Sequence, residues 1–404
     1  MTMPASKPIG VIGAGTMGAG IAQTAAAAGF SVKLFDIKTE VIEAAIANVS
    51  KRFDRLVEKN RLSAEQAKKC KSLIVRATKY DELNDCDLII EAIVENFEVK
   101  ASVLKQVGNI AKKAILATNT SSLSVTSLGD CCFPERLIGM HFFNPAPIMP
   151  LVEIIRGKET SDAAVQRATL IAEAWGKTVA IASDTPGFIV NRVARPYYLE
   201  SWRIVEDGLA SVDVVDQALQ SLGEFKMGPF ILTDLIGQDI NVATTRSVWE
   251  RLDRPSRLAP SREQEELVEH GHLGRKTGCG AYAHDDENNT APAIIQEIQP
   301  LELSERLTNA INDFCLDATC TSGSMLEQYI FARVLVSIIN EAMWALHDGV
   351  ASIQDIDIAM KLGTNYPKGP IEWANSIGGE RVQELLNALN ETVTDNRFTA
   401  PPQS

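Results

Sequence analysis

Six residues, GAGTMG at positions 13 to 18, constrain this chain more than any other stretch. They follow an apolar run, PIGVIG, that reads as a strand, and they open a segment of helical pattern ending near Gly29. A second strand-like run, SVKLFD, comes next and closes on Asp36. A bare G-x-G-x-x-G is weak, but strand, glycines, helix, strand and terminal acid within about thirty residues form the fingerprint of a dinucleotide-binding βαβ unit. Gly13 permits the tight turn, Gly15 lets backbone approach a pyrophosphate, and Gly18 lets the helix sit close on the sheet, with helix N–H groups facing the anion. Asp36 is placed to accept hydrogen bonds from ribose hydroxyls and to repel a 2′-phosphate, which selects NAD over NADP, although Lys38 tempers that repulsion.

The alternation begun there continues. PIGVIG, SVKLFD, SLIVRAT, DLIIEAI, AILATNT, LIGMHFF, LVEII and TVAIA alternate with helical segments up to about Asp184, the pattern of a largely parallel, doubly wound α/β sheet with helices on both faces. Between the second and third runs, Val41, Ala45, Val49, Phe53 and Leu56 recur at helical spacing in a charged stretch, which predicts an inserted helical hairpin projecting from the sheet. Strand signals cease after DTPGF at 184–188, so an all-α domain is expected beyond it. There EDGLASVDVVDQALQSLGEFKMGPF (206–230) and HDGVASIQDIDIAMKLGTNYPKGPI (347–371) align without gaps, matching Asp207 with Asp348, Asp216 with Asp357, and Gly228-Pro229 with Gly369-Pro370. The helical domain is therefore expected in two copies, the second packing on the first as a partner subunit would. The expected division is a Rossmann-type domain at 1–185, a helical domain at 186–285, a linker at 286–325 with one short helix after its polar, Pro-bearing part (284–305), and a degenerate second copy at 326–404, since a chain of this length exceeds one ordinary core.

Other classes are disfavoured. The opening MTMPASKPIG has no apolar core of a signal peptide, and no stretch approaches eighteen uninterrupted apolar residues, so a cytoplasmic protein is expected. Seven scattered cysteines without a C-x-x-C pair describe neither a disulfide framework nor a zinc site. A net charge of −13 argues against a broad nucleic-acid or membrane surface, and any anionic ligand must meet local positive charge.

Ligands of open α/β sheets collect at the carboxyl ends of the strands. Glu95, Ser121, His141 and Asn144 all fall there. Oxidation of an alcohol by hydride transfer needs a base for the hydroxyl proton, and histidine suits it. Glu153 stands in a run, LVEII, that otherwise reads as buried. A buried carboxylate needs a partner, and a carboxylate beside His141 would fix its tautomer and stabilise the imidazolium.

With these residues in place, the chain resembles the L-3-hydroxyacyl-CoA dehydrogenases of fatty-acid and aromatic-acid catabolism. GAGTMGAGIA, Asp36, AIVEN with VK after it, NTSSL, HFFNP, LVEII, DTPGFIVNR, MGPF and GRKTGCG resemble that family's motifs, in order, over about residues 7–285. The resemblance implies His141 and Glu153 as the catalytic pair, with Ser121 and Asn191 holding substrate oxygens. It also implies Glu95, Asn144 and Lys276 along the nicotinamide side of NAD, and Lys100 facing cofactor and coenzyme A. The family's lysine on the helix after Asp36 is missing from VIEAAIANV, which leaves Lys51, Arg52 and Arg55 as candidates for the coenzyme A nucleotide. The second helical copy resembles the extra C-terminal domain of multifunctional β-oxidation proteins and of phenylacetate-pathway dehydrogenases. It carries Ala332 where Asn191 would fall, so it is expected to be structural, an intrachain substitute for dimerisation with a further homodimer left open. The expected reaction is NAD-dependent oxidation of (S)-3-hydroxyacyl-CoA. The rival readings are a dehydrogenase of free 3-hydroxy acids, resembling lambda-crystallin or carnitine dehydrogenase, and a non-catalytic NAD-binding protein.

Overall fold

The computed structural model describes residues 7–285, 290–294 and 297–402; the opening MTMPAS and parts of the expected linker lie outside them. The chain divides into two compact units, Met1–Thr185 and Pro186–Ser404.

The first unit is one eight-stranded sheet in the order β3-β2-β1-β4-β5-β6-β7-β8. Its strands are β1 (Ile9–Ile12), β2 (Val32–Phe35), β3 (Ile74–Ala77), β4 (Leu88–Glu91), β5 (Ile115–Thr118), β6 (Leu137–Phe142), β7 (Leu151–Arg156) and β8 (Thr178–Ser183). β1 to β6 run parallel, β7 turns back antiparallel to β6, and β8 follows β7 in parallel. The helices are α1 (Thr16–Ala27), α2 (Thr39–Glu58), α3 (Ala64–Ser72), α4 (Phe97–Ile110), α5 (Val125–Asp130) and α6 (Asp162–Ala174). α1 is almost wholly buried because its small residues, Ala19, Ala22, Ala25 and Ala26, let it lie close to the strands. The hairpin of α2 and α3 does not simply project. Ile42, Ala45, Val49 and Phe53 form a buried stripe at helical spacing that joins the core of the unit, because so much apolar surface is stable only when covered. Its turn is fixed by Ser63, whose hydroxyl accepts from Gln66 N while the Gln66 side chain accepts from Ser63 N, a capping box.

The second unit begins with α7 (Val190–Val193), α8 (Arg195–Glu206), α9 (Val212–Gly223), α10 (Pro229–Ile236), α11 (Gln238–Arg251) and α12 (Arg262–Glu269). It is not entirely helical: β9 (Tyr282–His284) and β10 (Thr290–Pro292) form a short antiparallel pair. The helix expected within 286–325 is there. Ser304 caps α13 (Glu305–Asp317), and Leu307, Ala310, Ile311 and Phe314 bury one face of it, so a helical stripe overrides the polar composition around it. The chain ends with α14 (Met325–His347), α15 (Ile353–Gly363), α16 (Pro370–Ile377) and α17 (Gly379–Asn390). α14 is long and apolar enough to cross a membrane, yet 83% of its most apolar window is buried inside the protein, as in the central helix of a globular core.

Charged side chains cross-link this unit in a reciprocal pattern. Arg192 bonds Glu341 at 2.7 Å and Asp348 at 2.6 Å. Arg333 bonds Glu200 at 2.9 Å and Asp207 at 3.0 Å. The gapless register that aligns Asp207 with Asp348 also aligns Arg192 with Arg333 and Glu200 with Glu341, so each arginine holds the counterparts of its own neighbours. Burial alone would raise the Glu200 carboxyl, but Arg203, Arg333 and Arg397 outweigh it and hold it at about 2.

Candidate active site

The reversal between β6 and β7 brings the end of one strand and the start of the next to a single edge, where the parallel strands also terminate. His141 stands directly opposite Glu153 in the register, and directly opposed residues share a face. His141 Nδ1 lies 2.6 Å from Glu153 Oε2, and both side chains are buried. A carboxylate only accepts, so the proton of this contact belongs to Nδ1 and Nε2 is the ring's basic nitrogen. One strand over, Asn119 Oδ1 accepts from Phe142 N at 2.9 Å, which ties the turn after β5 to the strand that carries the histidine.

That turn holds Ser121, which is exposed. Glu95 Oε1 gathers it: Thr120 Oγ1 donates at 2.5 Å, Ser121 N at 3.0 Å, Ser122 N at 3.1 Å and Ser122 Oγ at 2.9 Å. Burial pushes the Glu95 carboxyl up, but the Thr120 hydroxyl, the Lys100 charge and the Ser122 and Ser121 bonds outweigh it and hold it below its ordinary value. Lys100 departs from the expectation. It is 1% exposed, with Nζ 2.7 Å from Glu91 Oε1 and 3.2 Å from Glu95 Oε2. An ammonium so buried serves internal carboxylates and presents no face to coenzyme A. Asn144 is exposed on the segment after β6, which Lys177 anchors by donating to Ala146 O at 2.6 Å and Met149 O at 2.7 Å.

Towards β1 and β2 the edge opens into a cavity of about 620 Å³ lined by Gly13, Gly15, Thr16, Asp36, Ile37 and Val94. Gly13 has φ +97°, and a Cβ there would lie 2.5 Å from Ala92 O. A Cβ on Gly18 would come within 1.8 Å of Gly13 O, whereas one on Gly15 would meet nothing within 4 Å. The loop is thus tight against the protein and open only at Gly15, where an anion can approach backbone. Asp36 accepts from Ala14 N at 2.8 Å and Lys38 N at 3.1 Å, which orients the carboxylate at this cavity. Ile37 and Val94 stay exposed beside it, an apolar surface suited to an adenine ring. These residues fit a dinucleotide.

A larger groove of about 1060 Å³ lies between α1, α2 and the segment 144–150, with Arg52, Arg55, Lys59, Arg61 and Lys177 in its lining. Of the three candidates, Arg52 and Arg55 line this groove, Arg52 bonding Gln23 at 3.2 Å. Lys51 does not line it, because consecutive residues point about 100° apart on a helix.

Asn191 and Lys276 belong to the second unit. Asn191 is half-buried in α7, and Lys276 bonds Asp239 at 2.5 Å. The loop around Lys276 closes on Asp234, which sequence reasoning missed. Its carboxylate accepts from Gln238 Nε2, Ala281 N, Tyr282 N and His284 Nε2 at 2.7 to 2.9 Å.

Comparison with known proteins decides the family. The model described as "3-hydroxyacyl-CoA dehydrogenase, NAD binding domain" matches residues 8–185, and "3-hydroxyacyl-CoA dehydrogenase, C-terminal domain" matches 187–284 and 329–403. The chain belongs to the 3-hydroxyacyl-CoA dehydrogenase family. It is accordingly an NAD-dependent oxidoreductase with a Rossmann-type sheet and a helical C-terminal region. It is 36% identical to the 3-hydroxyadipyl-CoA dehydrogenase of Escherichia coli K12, over 97% of this chain and 95% of that one. It is 41% identical to a 3-hydroxybutyryl-CoA dehydrogenase of Bradyrhizobium diazoefficiens, over 68% of this chain and 94% of that one. A fatty acid oxidation complex subunit alpha from Psychrobacter is 34% identical over 91% of this chain, which spans only 50% of that longer protein. The crystal structure of 3-hydroxybutyryl-CoA dehydrogenase from E. coli K12 superposes with a TM-score of 0.86 at 35% identity, covering 99% of this chain and 97% of that one.

Proposed function

We propose that this family member oxidises (S)-3-hydroxyacyl-CoA to 3-oxoacyl-CoA in the cytoplasm, with His141 and Glu153 as its acid–base pair. The observation that carries the reading is the 2.6 Å contact between His141 Nδ1 and Glu153 at the ligand edge of the sheet. Bound NAD supplies the nicotinamide that accepts hydride from C3. His141 Nε2 takes the hydroxyl proton as the hydride leaves, and Glu153 stabilises the resulting imidazolium without taking that proton. Ser121 holds the 3-oxygen, and Glu95 and Asn144 line the nicotinamide side of the cofactor. In the reductive direction His141 returns the proton.

The basic groove supports coenzyme A as the handle. On a chain of net charge −13, the Arg52, Arg55, Lys59 and Arg61 side chains gather positive charge where a nucleotide phosphate could be received, and Coulomb attraction there is local. The full-length similarity to a 3-hydroxyadipyl-CoA dehydrogenase favours a dicarboxylic acyl chain and a role in aromatic-acid breakdown. The reciprocal arginines of the second unit favour a duplicated helical domain, 186–285 and roughly 326–404, whose copies pair within one chain as two subunits would.

The test is NADH formation by the purified protein across (S)-3-hydroxyacyl-CoA substrates of increasing chain length, one of them dicarboxylic, each beside its free acid. Turnover of the thioesters with little or none of the free acids is expected; the reverse preference would refute the reading. Asp36 sets a second expectation. Asp36→Ser should raise the ratio of kcat/KM for NADP to that for NAD by about tenfold or more, because a like charge facing the 2′-phosphate is removed. An unchanged ratio would place cofactor selection elsewhere.

A further inference from the structure

Glu91 closes β4 with its side chain 0% exposed. Its carboxylate is fully engaged: Oε1 accepts from Ile93 N at 2.7 Å and Lys100 Nζ at 2.7 Å, and Oε2 accepts from Thr118 Oγ1 at 2.8 Å. Two routes lead from it into one turn. Through Lys100 it reaches Glu95, whose other oxygen collects Thr120, Ser121 and Ser122. Through Thr118, which also accepts from Thr120 N at 3.3 Å, it reaches the same turn from β5. The Glu91 main-chain oxygen adds a bond from Asn119 N at 2.8 Å.

A buried ion pair is a poor device for stability, since apolar residues of similar volume do as well or better. What it provides that they cannot is direction. Lys100 is buried between two carboxylates, with Ile93 O as a third and longer contact at 3.5 Å, and the bond to Glu91, the shortest of the three at 2.7 Å, is the one that sets where its ammonium stands beside Glu95. Among the described residues no hydrogen bond engages the Ser121 hydroxyl, so the turn fixes where that group stands while leaving it available.

We propose that Glu91 is a positioning residue for the reaction, acting through Lys100 and Thr118 to hold the 118–122 turn that presents Ser121. This rests on the reading of Ser121 as the group that holds the substrate's 3-oxygen. Glu91→Gln retains the shape and removes the charge that fixes Lys100; Thr118→Val cuts the second route and serves as an independent variant should the first fold poorly. In the enzyme each should lower kcat by about tenfold, with the KM for the 3-hydroxyacyl-CoA changed by less than about twofold, because small misplacements of a reacting group cost rate more than affinity. In a Ser121→Ala background the same substitutions should lower kcat by less than about twofold further, because residues acting through one another are not additive. Equal losses in both backgrounds would overturn the inference and leave the Ser121 reading standing. A fully active Ser121→Ala enzyme would overturn both.

Discussion

His141→Gln should lower kcat for oxidation of a 3-hydroxyacyl-CoA by about a thousandfold, within the range general acid–base catalysis contributes, while NADH binding stays near the wild-type value. Glutamine fills similar space and can still hydrogen-bond Glu153, but it has no basic nitrogen to accept the hydroxyl proton. The Gly13–Gly18 loop and Asp36, which form the nucleotide cavity, lie several strands away along the sheet edge, so the binding of NADH does not depend on the ring. Initial rates measured beside the quenching of protein fluorescence by NADH separate the two. A variant that keeps more than about a tenth of wild-type kcat would remove His141 from the chemistry, given what a positioned base contributes.

The largest loss of stability is expected from Glu341→Ala. Glu341 is buried in the second unit and receives both Arg192 at 2.7 Å and Arg257 at 2.6 Å. Truncation leaves two guanidinium groups in a low-dielectric interior without their shared counter-charge, and breaking a buried pair from one side costs about 3–5 kcal/mol. Arg192 retains Asp348, which is partly exposed, but among the described residues Arg257 keeps only its position over the Trp344 ring. For a unit of this size that cost corresponds to a fall in midpoint temperature on the order of 10 °C. Thermal unfolding followed by far-UV circular dichroism would show it, with the two units allowed separate transitions. The exposed pair Arg262 and Glu266 is the control, because surface pairs contribute little. A Glu341→Ala protein that melts like the Glu266→Ala control would show that the reciprocal arginines do not hold the unit together.

The sheet and its ligand edge were readable because strand and helix periodicities alternate cleanly from Pro8 to Asp184, and because glycines at a strand-to-helix turn admit few structures. The His141–Glu153 contact was readable for a narrower reason: a carboxylate inside LVEII must find a partner, and the next strand supplied one. The same logic applies to Glu91 in DLIIEAI, another carboxylate in a buried run, whose partner Lys100 lies nine residues along on a helix rather than in a neighbouring strand. Lys100 is buried although a lysine on an amphipathic helix usually reaches solvent, and nothing local in the sequence announces that two acids from a neighbouring strand and loop enclose it. The helix at 305–317 is where a short helix is expected after the polar, Pro-bearing stretch 284–305, whereas the β9–β10 pair is hidden by its brevity. Asp234 is not legible in the sequence, since three of its four donors, Ala281, Tyr282 and His284, lie 47 to 50 residues along the chain.

A crystal structure of the full chain with NADH and acetoacetyl-CoA is the most direct trial of the assignment of His141. The account predicts Nε2 of that ring at hydrogen-bonding distance, about 3 Å, from the 3-oxygen of the ligand, with Glu153 still on Nδ1. A ligand whose 3-oxygen is met by some other acid, with the imidazole beyond hydrogen-bonding reach, would contradict it.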